Sequence, residues 1–274
     1  MKFIVTLLFI FSMALPVITT ATPTFFTYES TTNNADGKDS FAAIGLNFIG
    51  QSELNLSRGI NRYPDQETSS YSIGIMFNPD SQVAFGLNYL YWEQTNEVES
   101  SAYELEIDHN TDNWFFAISS QLGAVTIYPQ TAPSINLNKS GAGISTAYSG
   151  SYPFTISSSI EFYFYDRKLS FLNTSQYPRF TMHNFSMSTL DQATGLEDHQ
   201  SSLNLTYHFE KLNLGYFYDR SHSAVDNSIS TSHSVLFEIK ITDKLQLGFE
   251  TGESTSSINS STVRFNRFAT NYYF

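Results

Sequence analysis

The groups in this sequence with a capacity for chemistry are carboxylates and imidazoles set in strand-like surroundings. Glu104, Glu106 and Asp108 stand at every second position of one segment, and Glu161, Asp219, Glu238 and Glu250 fall on the matching side of other alternating segments, against Lys240 as the clear cation. Residues at i and i+2 of a strand share a face, so Glu104 and Glu106 could together bind a divalent cation, but no flanking ligands at definite spacing complete such a site. A row of carboxylates facing a water-filled space favours cations over anions; its plainer role is to keep that face wet. The six histidines are His109, His183, His199, His208, His222 and His233. Ser221-His222-Ser223 and Ser232-His233-Ser234 set hydroxyls beside imidazoles. Neighbours on a strand face opposite ways, however, and do not make a nucleophile–base pair by themselves. The sequence therefore offers no catalytic residue, no resident metal ligand set and no cofactor motif.

The elements that position these groups are legible in the composition. Aromatic residues make up 16% of the chain, with Phe 24 and Tyr 17, yet the mean hydropathy is only -0.21. After residue 21 no stretch approaches the apolar length of a membrane-spanning helix. Many aromatics, moderate hydropathy and no helix candidate fit strands that are apolar on one face only. At the start, Met1-Lys2 precedes the apolar run Phe3–Ile18, and Thr19-Thr20-Ala21 supplies the small residues of a cleavage site. Residues 1–21 are thus expected to be a cleaved signal peptide and residues 22–274 a single domain. With Cys 0 there is neither a lipoprotein anchor nor a disulfide framework, and a net charge of -12 argues against nucleic acid as a partner.

Strand-like segments of about ten residues recur. Fourteen can be counted: Thr24–Glu29, Phe41–Gly50, Leu54–Tyr63, Tyr71–Phe77, Gln82–Trp92, Ala102–Asp108, Asn113–Gln121, Gly141–Ser149, Phe154–Tyr165, Ser202–Phe209, Leu212–Arg220, His233–Ile241, Leu245–Glu253 and Val263–Phe274. Ala124–Tyr128 and Arg179–Met187 are left to loops, and a count of twelve competes if the weak first segment does not pair. Within segments an apolar row opposes a small or polar one: Val83, Phe85, Leu87, Tyr89 and Tyr91 stand against Ala84, Gly86 and Asn88. A lipid-facing row interleaved with a water-facing row is what a membrane barrel wall requires. A soluble sandwich shows the same alternation, but without the long aromatic rows. Tight turns such as Glu210-Lys211 and Thr242–Lys244 alternate with longer polar spacers, of which the longest runs from about Arg167 to Gln200. Two segments end alike, Phe162–Arg167 and Tyr216–Arg220, as an interfacial aromatic belt with charges beyond it would. Arg167, Lys168 and Arg220 could there meet lipopolysaccharide phosphates.

The final stretch, Val263–Phe274, ends on an aromatic residue, with Phe268, Thr270, Tyr272 and Phe274 on one face. This stretch resembles the closing strand of Gram-negative outer-membrane β-barrels, porin-like or of the solitary autotransporter type without a passenger. The resemblance implies that Phe268, Tyr272 and Phe274 form the signal read by the barrel-assembly machinery. The expected fold is all-β: a transmembrane antiparallel up-and-down barrel of 12–14 strands in the bacterial outer membrane, in contact with lipid and lipopolysaccharide. The expected function is a passive channel for small solutes with cation preference, the carboxylates above and Lys240 lining the pore. The alternatives are a closed barrel acting through its external loops, to which inward Phe115, Phe185, Phe217, Tyr163 and Tyr165 would contribute bulk, and a hydrolase at the rim.

Overall fold

A computed structural model describes residues 22–34, 36–47, 52–63, 66–79, 82–94, 98–128, 133–150, 153–168, 196–224, 227–257 and 262–274. Residues 1–21, expected to be a signal peptide, and Arg179–Met187 with His183 and Phe185 lie outside these residues. The described residues form fourteen strands: β1 (Thr22–Asn33), β2 (Lys38–Asn47), β3 (Ser52–Tyr63), β4 (Gln66–Phe77), β5 (Val83–Gln94), β6 (Val98–Asn110), β7 (Trp114–Ile127), β8 (Ile135–Ser149), β9 (Phe154–Tyr165), β10 (Glu197–His208), β11 (Leu212–Ser223), β12 (Ile229–Lys240), β13 (Leu245–Ser256) and β14 (Thr262–Tyr273). Each pairs antiparallel with its sequence neighbour, and β1 pairs with β14 to close a barrel. Closure leaves no sheet edge, so the backbone groups of the wall find partners within it, as they must in lipid.

The weak first segment settles the strand count. β1 pairs with β14 from Phe25↔Tyr273 to Asn33↔Phe265 and with β2 as far as Thr32↔Lys38. Strand lengths differ from the sequence expectation, nearly always at the same end. Ala124–Tyr128, assigned above to a loop, continues β7 through Ile127. β8 begins at Ile135 rather than Gly141, β10 at Glu197 rather than Ser202, and β12 at Ile229 rather than His233. These added parts turn polar on the outward face, as at Thr126, Asn136 and Asn138, while inward Val125, Ile127 and Leu137 are apolar, so the apolar-out, polar-in alternation of the lower wall is lost although the ladder continues. Most of the spacers expected to be long are therefore barrel wall, a polar collar above the apolar belt. The end bearing the connections β2–β3, β4–β5, β6–β7, β8–β9, β10–β11 and β12–β13 is called here the turn end, and the other the loop end.

The outward face below the collar is apolar. The register joins Phe77, Phe85 and Ile107, and then Ile107, Ile118, Ile144 and Ile160, in continuous cross-strand rows. All of these side chains are exposed, Ile118 to 63%. Exposed apolar area on this scale marks contact with lipid. Near the turn end Trp114 packs on Phe116 at 5.8 Å and on Tyr148 at 4.9 Å, and Tyr207–Phe209 and Tyr272–Phe274 continue that girdle. A second girdle includes Tyr71, stacked on Tyr91 at 4.7 Å, and Tyr89 near Tyr103 at 5.2 Å. Two aromatic bands flanking an apolar one are the signature of a bilayer-spanning wall. The paired aromatic endings divide between the two faces: Phe162, Phe164 and Tyr216 are exposed, whereas Tyr163 is 4% exposed inside the barrel.

Candidate functional site

The inner face of the wall is small and polar, with carboxylates concentrated in two sectors. In the first, β6 points Glu104, Glu106 and Asp108 inward. The register carries Glu106 across Ser119 of β7 and Gly143 of β8 to Glu161 of β9 and Gln200 of β10. Gly143 has a packing reason: a Cβ there would stand 2.6 Å from Ser119 Oγ and 2.9 Å from Glu161 Cγ, so the missing side chain opens a lane between the carboxylates. Asn88 Nδ2 donates to Glu104 Oε1 at 3.2 Å. Gln200 Nε2 donates to Glu161 Oε2 at 3.0 Å and to the Tyr163 hydroxyl at 3.2 Å. The Tyr163 hydroxyl itself donates to Glu161. Lys139 of β8, only 2% exposed, lies over the Tyr163 ring, Nζ 4.1 Å from its centroid, and feels the charges of Glu197, Glu161 and Glu104. A buried ammonium with an aromatic face and nearby carboxylates is compensated for leaving water.

The second sector lies across the barrel. Arg267 of β14 places Nη1 3.1 Å from Glu250 Oε2 of β13 and 3.9 Å from Glu29 Oε2 of β1. The Ser234 hydroxyl of β12 donates to the other Glu250 oxygen. These groups and Asp219 line a cavity of about 230 Å³ inside the wall, whose lining also includes Asn204, Phe217 and Glu238. Glu238 is held by Asn213 Nδ2 at 2.7 Å and Asn271 Nδ2 at 3.4 Å.

The residues singled out from sequence thus lie on the inner face, but in two groups: Glu104, Glu106, Asp108 and Glu161 in the first sector, Asp219, Glu238 and Glu250 in the second. Lys240 differs from expectation. It closes β12 beside the turn and pairs with Asp243 at 3.1 Å, while the cations set deep among the inner carboxylates are Lys139 and Arg267. Strand parity could have found Arg267, which shares the face of Ala269 and Asn271. Lys139 was hidden because it precedes the segment recognised as a strand. Phe115 and Phe217 face inward as well, as do Tyr163 and Tyr165. At the loop end, inward Val98, Val125, Ile127 and Leu137 pack with Leu196, and Trp92, Ile135, Tyr165 and Ala224 border them. The Ser-His-Ser triplets are split by the wall: Ser223, Ser232 and Ser234 are buried, whereas the register sets His222 and His233 on the outward rows of Arg220 and Val235. Phe268, Tyr272 and Phe274 are exposed on the outer face.

No family model matches the sequence, and no curated protein does. Solved structures are similar in fold. The CymD monoaromatic hydrocarbon channel superposes with a TM-score of 0.57 at 9% identity, covering 92% of this chain and 88% of that one. The Acinetobacter baumannii outer membrane protein Omp33 gives 0.52 at 10% identity, over 92% of this chain and 98% of that one. The NanC porin gives 0.51 at 8% identity, over 91% of this chain and 100% of that one. With its closed fourteen-strand wall, apolar belt and paired aromatic girdles, this chain shares the antiparallel up-and-down β-barrel fold of these outer-membrane proteins.

Proposed function

We propose that the protein is a passive channel for small solutes across the outer membrane, with a preference for cations. The observation that carries this reading is the polar, carboxylate-rich inner face. Fourteen strands enclose more space than the eight of a barrel filled by its own side chains. Among the described residues deep in the inner face, Glu29, Glu104, Glu106, Asp108, Glu161, Asp219, Glu238 and Glu250 outweigh Lys139 and Arg267 in charge. Such a surplus lowers the energy of cations in the lumen and raises that of anions. The test is conductance of single molecules in a planar bilayer under a salt gradient. The expected result is stable steps with a cation-selective reversal potential, moved toward zero by Glu104→Gln with Glu106→Gln. Silence from a folded, heat-modifiable barrel would sink the channel reading.

A second reading, a closed barrel acting through its external loops, has one observation of its own. The apolar cluster around Val98, Val125, Ile127 and Leu137 occupies part of the inner face at the loop end, where an open pore would be wet. The third reading, a rim hydrolase, has little support, since the wall separates the serines from their adjacent imidazoles; the protein is proposed to be no enzyme.

Export and assembly complete the proposal: cleavage after Ala21, insertion among lipid and lipopolysaccharide with the turn end in the periplasm, and recognition of Phe268, Tyr272 and Phe274 by the assembly machinery. Deleting Phe274 is expected to reduce heat-modifiable barrel in outer membranes while leaving refolding into detergent micelles unchanged. Equal losses in both settings would show that Phe274 acts only through stability.

A further inference from the structure

Outside the lumen, on the polar collar of β10 and β11, three metal-ligating side chains converge. His199 and His222 are direct cross-strand partners, and their rings stack 4.9 Å apart with 13° between planes. Asp198 Oδ1 lies 2.6 Å from Nδ1 of His199 and 2.8 Å from Nδ1 of His222. Asp198 and His199 are consecutive and in a regular strand would face opposite sides of the wall. The register shift between Glu197 and His199 removes that constraint: a bulge re-aims one side chain, and here it brings the carboxylate round to the outer face. The same outward rows continue through Ser201 and Arg220, so the cluster sits above the apolar belt, where water and ions reach it.

We propose that Asp198, His199 and His222 form a binding site for one divalent transition-metal ion of the zinc class. One ligand atom from each of the three residues lies within 4.8 Å of the others. Two imidazole nitrogens and one carboxylate oxygen are a common protein contribution to zinc, with water completing the coordination. The oxygen–nitrogen separations are those of hydrogen bonds. Ligands about 2.0–2.2 Å from a tetrahedral ion stand about 3.3–3.6 Å apart, so the Asp198 carboxylate would draw back from each imidazole by about 0.5–1 Å to admit one. Imidazole donors favour zinc, nickel and copper over magnesium and calcium, so the site should ignore the ions that carboxylates alone would collect. A bound ion would clamp the start of β10 to the end of β11.

The test is calorimetric titration of the full barrel, folded in detergent micelles, with zinc chloride, and separately with magnesium chloride. One zinc ion per chain and no magnesium binding are expected. His199→Gln and His222→Gln should each weaken zinc binding at least about tenfold, and Asp198→Asn should weaken it too. His233→Gln, on a neighbouring strand and paired instead with Glu253, should leave it unchanged. Heat-modifiability of each variant verifies that it is folded, and addition of zinc should raise the unfolding temperature of the parent but not of the double histidine variant. Absence of zinc binding to the folded parent, or equal affinity in the double variant, would overturn the proposal.

Discussion

Replacing Arg267 by Gln is expected to destabilise the barrel by about 3–5 kcal/mol, because it strands two inward carboxylates without their cation. Arg267 is a brace across three strands: its own β14, β13 through Glu250 at 3.1 Å and β1 through Glu29 at 3.9 Å. It therefore spans the β1–β14 seam, the pairing that joins the two ends of the chain. The side chains of Arg267 and Glu250 are 12% and 9% exposed, so water screens the pair little. Urea unfolding in lipid vesicles, followed by the fluorescence of Trp92 and Trp114, supplies the measurement. Adding Glu250→Gln to the Arg267→Gln chain should recover part of the loss, since it removes one uncompensated charge. A loss under about 1 kcal/mol would place the group in bulk-like water, where exposed pairs contribute little, and would refute the brace.

The second large effect belongs to the outer face. Ile118→Arg is expected to cost about 2–4 kcal/mol, the range for a cation facing lipid near the bilayer midplane, whereas Thr126→Arg should cost no more than about 1. Both positions point outward from β7, but Ile118 lies in the row Ile107–Ile118–Ile144. Thr126 sits in the collar, its hydroxyl donating to Asn136 Oδ1 at 3.0 Å. The same unfolding experiment reads both. Equal costs at the two sites would mean that the bilayer boundary is not where the aromatic girdles set it.

The comparison of sequence with structure follows the lipid boundary closely. Where a strand crosses lipid, one face must be apolar and the other must tolerate water, so the period of two is enforced by the solvent itself. Val83–Tyr91 and Leu203–Phe209 could therefore be read directly, with the correct residues inward. Above the belt that pressure vanishes. Outward positions there turn polar, as at Thr126 and Asn136, while inward ones mix Ser100 and Ser232 with Val98, Val125 and Leu137, so the period that marks the lower wall is lost and the chain reads as loop.

By itself, then, the sequence determined the solvent of each face: alternating segments numbering twelve to fourteen, the shared parity of Glu104, Glu106, Glu161, Asp219, Glu238 and Glu250 with the polar rows, and the aromatic closing strand. Those properties are local, set by side-chain period and by the cost of burying charge in lipid. Tertiary structure decided what depends on register between strands distant in sequence: that Arg267 meets Glu29 some 238 residues away, that Lys139 settles on Tyr163, and that a bulge after Glu197 gathers Asp198, His199 and His222. A ladder closing on itself fixes such partners only once every strand is in place, so no single stretch of the chain contains them.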